Sequence, residues 1–223
     1  EFTRDTVDLT LLIEGITPVT YYSTKPLTLS TNKKTGVTFY LVDSTGNETV
    51  LENKRITADG FYHIRVRDIV GNTDEKEFIV DTTRPILKID NVEATHNGVY
   101  YYDREVTVTI GDLTSGINES ATKVNDQSTI IDSSGIIIPS GRHVIKIEDN
   151  ARNTTTVTIV VDMDKPEIEL NDNSILKDVY GNDVKVKITD TLSGIKTITA
   201  TKDGVEIEEF QNNMTAIKGV YTT

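Results

Sequence analysis

The sequence has no cysteine and no tryptophan. Without cysteine there are no disulfides to supplement a small core, and no thiol nucleophile. Cations are scarce: 23 Lys+Arg stand against 35 Asp+Glu, a balance that argues against nucleic acid as a partner. No run approaches the roughly 20 apolar residues of a membrane span, and no signal peptide opens the chain. A soluble segment without a membrane span is therefore expected, and export and anchoring of a longer product stay open. Helical periodicity is missing throughout. The three histidines, His63, His96 and His143, are scattered and form no metal-ligand spacing. There is no Gly-x-Ser-x-Gly elbow, no phosphate loop and no His-Glu-x-x-His, so an enzyme is not expected.

What is present is a repeat. Gly60–Pro85 (GFYHIRVRDIVGNTDEKEFIVDTTRP) returns as Gly141–Pro166 (GRHVIKIEDNARNTTTVTIVVDMDKP). The spacing 141 − 60 = 81 also relates Asp68 to Asp149, Asn72 to Asn153, Asp81 to Asp162 and Pro85 to Pro166. One spacing held at five markers identifies a tandem array. Each copy reads as a β-hairpin that closes a domain. Tyr62, Ile64 and Val66 alternate with His63, Arg65 and Arg67, the period of a half-buried strand. Asp68 opens a turn, and Gly71 and Asn72 tolerate positive φ. Arg152 replaces the glycine in the second copy, so a looser or differently shaped turn is expected there. Val, Ile and Thr are abundant, which favours strand. With turn signals every 8–12 residues or so, each unit reads as a β-sandwich.

The domains expected are 1–83, 84–164 and 165–223. The third matches the second with an offset of 190 − 112 = 78. Gly219 should then begin its closing hairpin, and repeat three is expected to be truncated before that hairpin is complete. Glu1–Thr6 resembles Glu77–Thr82 and reads as the tail of a preceding repeat, though Glu1-Phe2 could also come from a cloning scar.

The Gly-x-Tyr-x-Ile-x-Val-x-Asp-x-x-Gly-Asn run from Gly60, then Val80-Asp-Thr-Thr-x-Pro85, resembles the closing half of bacterial Ig-like repeats in surface proteins of Gram-positive bacteria. Tyr101–Ile117 resembles the opening half of the same family. The resemblance covers two units and a partial third. It implies an all-β chain of tandem Ig-like β-sandwich domains. It also implies a place in a stalk or adhesive array at the bacterial cell surface, cell-wall or S-layer associated, or as an accessory module of a secreted carbohydrate-active enzyme. His143 and Arg152 depart from the family pattern, and the paired Cys and buried Trp of antibody-type domains are missing.

Two sets of candidate residues follow. In an Ig-type sandwich the second-to-third-strand loop, the closing hairpin turn and the incoming linker share one pole. This gathers Asp81, Asp112 and Asp149 at the first junction, and Asp162, Asp164 and Asp190 at the second. Calcium takes six to eight oxygens, several of them carboxylate, and some arrays of the resembling family stiffen their linkers with it. The plain alternative is that these aspartates form turns by bonding backbone amides. The second set is Tyr100, Tyr101 and Tyr102, candidates to stack on sugar rings or anchor a protein interface. Consecutive strand residues face opposite ways, so at least one should be core. Tyr62 and Tyr221 are expected in the corner-tyrosine role of Ig sandwiches, with His143 replacing the tyrosine of repeat two. The sequons at Asn47, Asn118, Asn153 and Asn213 are expected to be chance matches if the source is bacterial, as the resemblance implies. The expected partners are neighbouring repeats and a host protein or glycan, with the chain itself a monomer. No catalytic residue and no resident cofactor is expected beyond the calcium candidates.

Overall fold

Alternation in the sequence passes directly into strands. The structure is a computed structural model that describes residues 7–16, 21–170, 184–202, 205–206 and 219–221. Repeat one contains β1 (Leu11–Ile13), β2 (Tyr22–Ser23), β3 (Leu27–Thr31), β4 (Val37–Val42), β5 (Glu48–Val50), β6 (Arg55–Ile56), β7 (Gly60–Asp68) and β8 (Thr73–Val80). β1, β3 and β6 make one sheet; β2, β8, β7, β4 and β5, in that order, make the other. β2 runs parallel to β8, with Tyr22 opposite Ile79 and Ser23 opposite Val80. The first part of the chain thus lies on one sheet and then crosses to the other, in the manner of Ig-type sandwiches.

Both sheets feed one core. Leu11, Leu27, Leu29 and Ile56 come from the first, and Phe39, Ile64, Val66, Phe78 and Val80 from the second. Tyr62 stacks on Phe78 at 5.6 Å between ring centroids. Its hydroxyl donates to the Ala58 carbonyl at 2.8 Å, which is the corner-tyrosine bond. Between β8 and β1, side chains take the place of ladder bonds. Asp74 accepts the Leu11 N–H at 2.6 Å, and Lys76 donates to the Leu11 carbonyl at 2.6 Å. Charged groups spent in this way keep strand edges from pairing with other chains.

Repeat two contains β9 (Ile86–Ile89), β10 (Val92–Glu93), β11 (Val99–Tyr102), β12 (Val106–Gly111), β13 (Lys123–Val124), β14 (Gln127–Ser128), β15 (Ile136–Ile138), β16 (Gly141–Glu148) and β17 (Thr154–Val161). Its sheets run β10-β9-β12-β15 and β11-β17-β16-β13-β14. β11 is parallel to β17 with Tyr101 opposite Val160. Since Ile79 and Val160 are equivalent in the 81-residue repeat, Tyr101 stands where Tyr22 stands. His143 Nε2 lies 3.1 Å from the Pro139 carbonyl, the same four-residue reach as Tyr62 to Ala58. His143 therefore does the work of the corner tyrosine.

Repeat three contributes β18 (Glu167–Leu170), β19 (Val184–Thr189), β20 (Thr201–Lys202), β21 (Val205–Glu206) and β22 (Gly219–Tyr221). β22 pairs antiparallel with β19 in a β18-β19-β22 sheet. It thus holds the place of β6, which pairs with β3. The expectation that Gly219 opens the closing hairpin is corrected: β22 pairs with β19, whereas the hairpin strands β7 and β16 belong to the other sheet of their repeats. Glu1–Thr6 lies outside the described residues. By contact the chain divides into two compact units, one of Glu1–Gly98, Val108–Ile136 and Val144–Val157, the other of Val99–Thr107, Ile137–His143 and Thr158–Thr223. The architecture is all-β, with tandem Ig-like sandwiches.

Candidate functional site at the repeat junctions

The site is assembled from three short pieces, each shaped by an aspartate. The loop after β12 is wound around Asp112. Its Oδ1 accepts the N–H groups of Thr114 (3.1 Å), Ser115 (2.9 Å) and Gly116 (2.8 Å), and Gly116 supplies φ +78°. A carboxylate that gathers successive amides in this way needs a residue free to enter the left-handed region at the end of the loop. The loop after β19 repeats the pattern. Asp190 Oδ1 accepts from Leu192 (3.2 Å), Ser193 (3.0 Å) and Gly194 (2.8 Å), and Gly194 has the same φ, +78°.

The second piece is the turn between β16 and β17. The Asp149 carboxylate accepts the Asn153 N–H and the Asn153 side-chain amide, both at 2.8 Å. The backbone closes with Asp149 N–H to Asn153 O and Arg152 N–H to Asp149 O, both at 3.1 Å. Asp68 and Asn72 make the same bonds in repeat one. The turn at Arg152 is thus neither looser nor differently shaped, contrary to expectation. Arg152 takes φ +77° where Gly71 takes +97°. The aspartate bonds fix the turn, and the arginine is held in a conformation that costs an L-residue roughly 1–2 kcal/mol.

The third piece is the linker. Asp81 is fully buried. Its N–H donates to the Ser23 carbonyl on β2 at 2.8 Å. Its Oδ1 accepts the Thr83 N–H, and its Oδ2 accepts the Ser115 N–H of the next repeat, each at 3.1 Å. Its carbonyl accepts the Asn153 side-chain amide at 2.9 Å. Further along the linker, the Pro85 carbonyl accepts the buried Thr155 hydroxyl of β17 at 2.6 Å. Asp162 repeats the arrangement. Its N–H bonds the Tyr102 carbonyl (2.8 Å), its Oδ1 accepts from Asp164 N–H (3.1 Å) and its Oδ2 from Ser193 N–H (2.9 Å). The bonds from Ser193 hold the Asp162 carboxyl below the ordinary aspartate range.

Asp81, Asp112 and Asp149 therefore meet, with one oxygen of each within 4.8 Å of the others. Burial raises the Asp149 pKa, and the neighbouring Asp81 and Asp112 charges push the same way against the Asn153 bonds. Asp68 differs because Lys33 Nζ lies 2.7 Å from its Oδ2, and this contact holds its carboxyl far below the ordinary range. Aligning Gly36 with Gly116 puts Leu113, which is 97% exposed, in the place of Lys33. The three carboxylates have the donor chemistry of a hard divalent cation, yet several of their oxygens already accept backbone N–H groups. The expected second trio does not assemble. Among the described residues only the first junction gathers three such groups. Its third member comes from the β16–β17 turn, whereas Asp164 is exposed and lies in the linker turn itself.

The tyrosines separate by face. Tyr101 is 60% exposed, with Val99 on the same face at 49%, while Tyr100 and Tyr102 are half-buried. His63 lies between Glu75 (3.3 Å) and Glu77 (3.6 Å), and His96 Nδ1 accepts the Thr156 N–H at 3.4 Å. Neither ring approaches His143 as part of a ligand set among the described residues. Asn153 of the third sequon is committed to the junction, and Asn213 lies outside the described residues. An open cleft of about 860 Å³ is lined by Leu12, Tyr21, Phe78, His63 and Glu77 of repeat one. Sequence reasoning missed Ser115, Ser193 and Lys33, and gave Asn153 only as a marker of the repeat and a sequon. The recurrence of Ser-Gly three residues after the loop aspartate was the available signal for the serines.

No family model matches the chain, and no curated protein matches it. Among solved structures, murine CEACAM1b aligns over 70% of this chain and 99% of its own, at 16% identity and TM-score 0.31. A tetra-tandem repeat from the extending region of a large adhesion protein aligns over 96% of this chain, at 15% identity and TM-score 0.27. The chain spans 62% of that structure's length. The Bacteroides ovatus mixed-linkage glucan utilization locus protein SGBP-B, solved with a mixed-linkage heptasaccharide, aligns over 90% of this chain and 69% of its own, at 11% identity and TM-score 0.23. Scores this low carry no functional argument, and the fold assignment rests on the sheet topology.

Proposed function

We propose that the chain is a non-catalytic spacer segment of a bacterial cell-surface protein, which holds a functional part of a longer polypeptide away from the cell. The observation that carries this reading is the junction. In both linkers a buried aspartate bonds the strand behind it and the loop ahead of it with matching geometry. A flexible tether has no use for such bonds, and Gly/Ser-rich composition would serve it better. Residual dipolar couplings test the reading. Repeats one and two should fit a single alignment tensor, and independent tensors would overturn a spacer with ordered junctions.

A second reading, an adhesive module for a host protein or glycan, is favoured by one observation, the exposed Tyr101 beside Val99. Exposed aromatic rings suit sugar faces and interface anchors. Arrays of glycans and extracellular-matrix proteins separate the two. Saturable binding lost in Tyr101→Ser with the fold intact would make the segment adhesive, and no binding on either array would leave the spacer reading.

A further inference from the structure

The linker aspartates make more contacts than a passive joint needs. Asp81 is bonded to three elements at once. Its N–H is held by Ser23 on β2, its Oδ2 takes the Ser115 N–H in the loop after β12, and its carbonyl takes the Asn153 amide in the β16–β17 turn. β2 is the strand that crosses to the second sheet of repeat one and pairs with β8 there. The loop and the turn both belong to repeat two. Asp162 is bonded in the same order, to Tyr102 on β11 behind it and to Ser193 ahead of it. The compact unit that contains repeat one runs through Asp81–Pro85 without division.

We propose that each linker aspartate couples its two repeats, so that opening of one is transmitted to the next and neighbours unfold cooperatively. This rests on the spacer reading and adds a property to it. Loss of β2 from β8 displaces the Asp81 backbone. The buried carboxylate and the Pro85 carbonyl then lose their donors in repeat two, and buried polar groups left without partners are costly. In the other direction, melting of the β16–β17 turn removes Asn153 and Thr155 from the linker and frees the chain that pins β2. In arrays of repeats such interface bonds decide whether units open singly or together. The bonds run in sequence order, from the crossing strand through the aspartate to the following Asp-x-x-Ser-Gly loop, and the coupling they carry is reciprocal.

A thermodynamic cycle on the whole chain tests it. Ile147 is fully buried in repeat two, and Ile147→Ala opens a cavity there. Native-state hydrogen exchange then reads the Ile64 and Val66 amides in repeat one. With Asp81 in place, the lesion should lower their protection by on the order of tenfold, the size of coupling between bonded neighbours. In an Asp81→Asn background, which turns one carboxylate oxygen into a donor and keeps the backbone bonds to Ser23 and Asn153, the same lesion should lower their protection by clearly less. Thr155→Val, which removes only the bond to Pro85, should reduce the transmitted effect without abolishing it, and it serves if Asp81→Asn does not fold. Protection in repeat one that ignores Ile147→Ala with the native linker would overturn the proposal. So would transmission that neither linker substitution diminishes. The spacer reading stands or falls separately, on orientation.

Discussion

Arg152 and Tyr62 show what single positions contribute. Arg152 is held at φ +77° because the Asp149 and Asn153 bonds dictate the turn around it. Arg152→Gly should stabilise the protein by about 0.5–1 kcal/mol. This is relief of the left-handed penalty less the greater chain freedom of glycine when unfolded. Urea denaturation measures it, and a loss of stability would mean that the arginine side chain makes a compensating contact. Tyr62→Phe deletes the bond to Ala58 and keeps the stack on Phe78. It should cost about 1 kcal/mol, the usual net worth of one hydrogen bond. Position 143 shows that the carbonyl, more than the phenol, sets the requirement at this corner, since an imidazole nitrogen meets the equivalent acceptor.

The closing turns are one element built twice, with opposite responses to acid. In repeat one the Lys33 ammonium beside Asp68 holds its carboxyl well down. The stability it contributes is complete above the unfolded-state pKa and is lost as pH falls towards the folded value. In repeat two burial and the nearby Asp81 and Asp112 charges raise Asp149. The folded state then binds the proton more readily than the unfolded one, so stability from this group falls as pH rises through the shifted range. Carboxyl-carbon titration by NMR should place Asp149 above the ordinary aspartate value and Asp68 below it. Lys33→Met should move Asp68 upward and leave Asp149 where it was. The same order for the two groups in reverse would mean that the trio is compensated by a cation.

Across the whole chain, the arrangement of charge decides how the junctions respond to solution conditions. Thirty-five acids against 23 bases leave a formal net charge of −12, and the first junction concentrates three of those acids. Asp112 and Asp149 are already occupied as turn formers by backbone and side-chain N–H groups. Addition of EDTA and then millimolar calcium should therefore leave the melting temperature unchanged. A rise of several degrees, abolished by Asp112→Asn, would instead identify calcium as part of the joint. The self-paired face of repeat one points the same way. Arg65 is shared by Glu48 and Glu75, and Arg67 bonds Glu48, so these cations have acidic neighbours within the sheet.

The sequence by itself determined the 81-residue unit, the alternating strands and the placing of the closing turns, and, given the shared pole of an Ig-like sandwich, the convergence of Asp81, Asp112 and Asp149. The first three follow from local periodicity, from turn chemistry, or from a spacing that survives without coordinates. Position on a repeated frame even identified His143 as the corner residue. Tertiary structure alone decided which partners these groups meet. Ser115 and Ser193 offer backbone N–H groups, which no side-chain pattern encodes, and their acceptors arrive from another repeat. Lys33 lowers Asp68 because the loop folds its ammonium back on the turn, and Leu113 leaves Asp149 without that relief. Asp164 drops out of the second junction because its place in the linker turn differs from that of Asp149 between two strands. Tyr101 is the exposed tyrosine of three because pairing with β17 sets which face each one takes. Burial and charge are sums over everything that approaches a group, and the chain order lists only the neighbours along it.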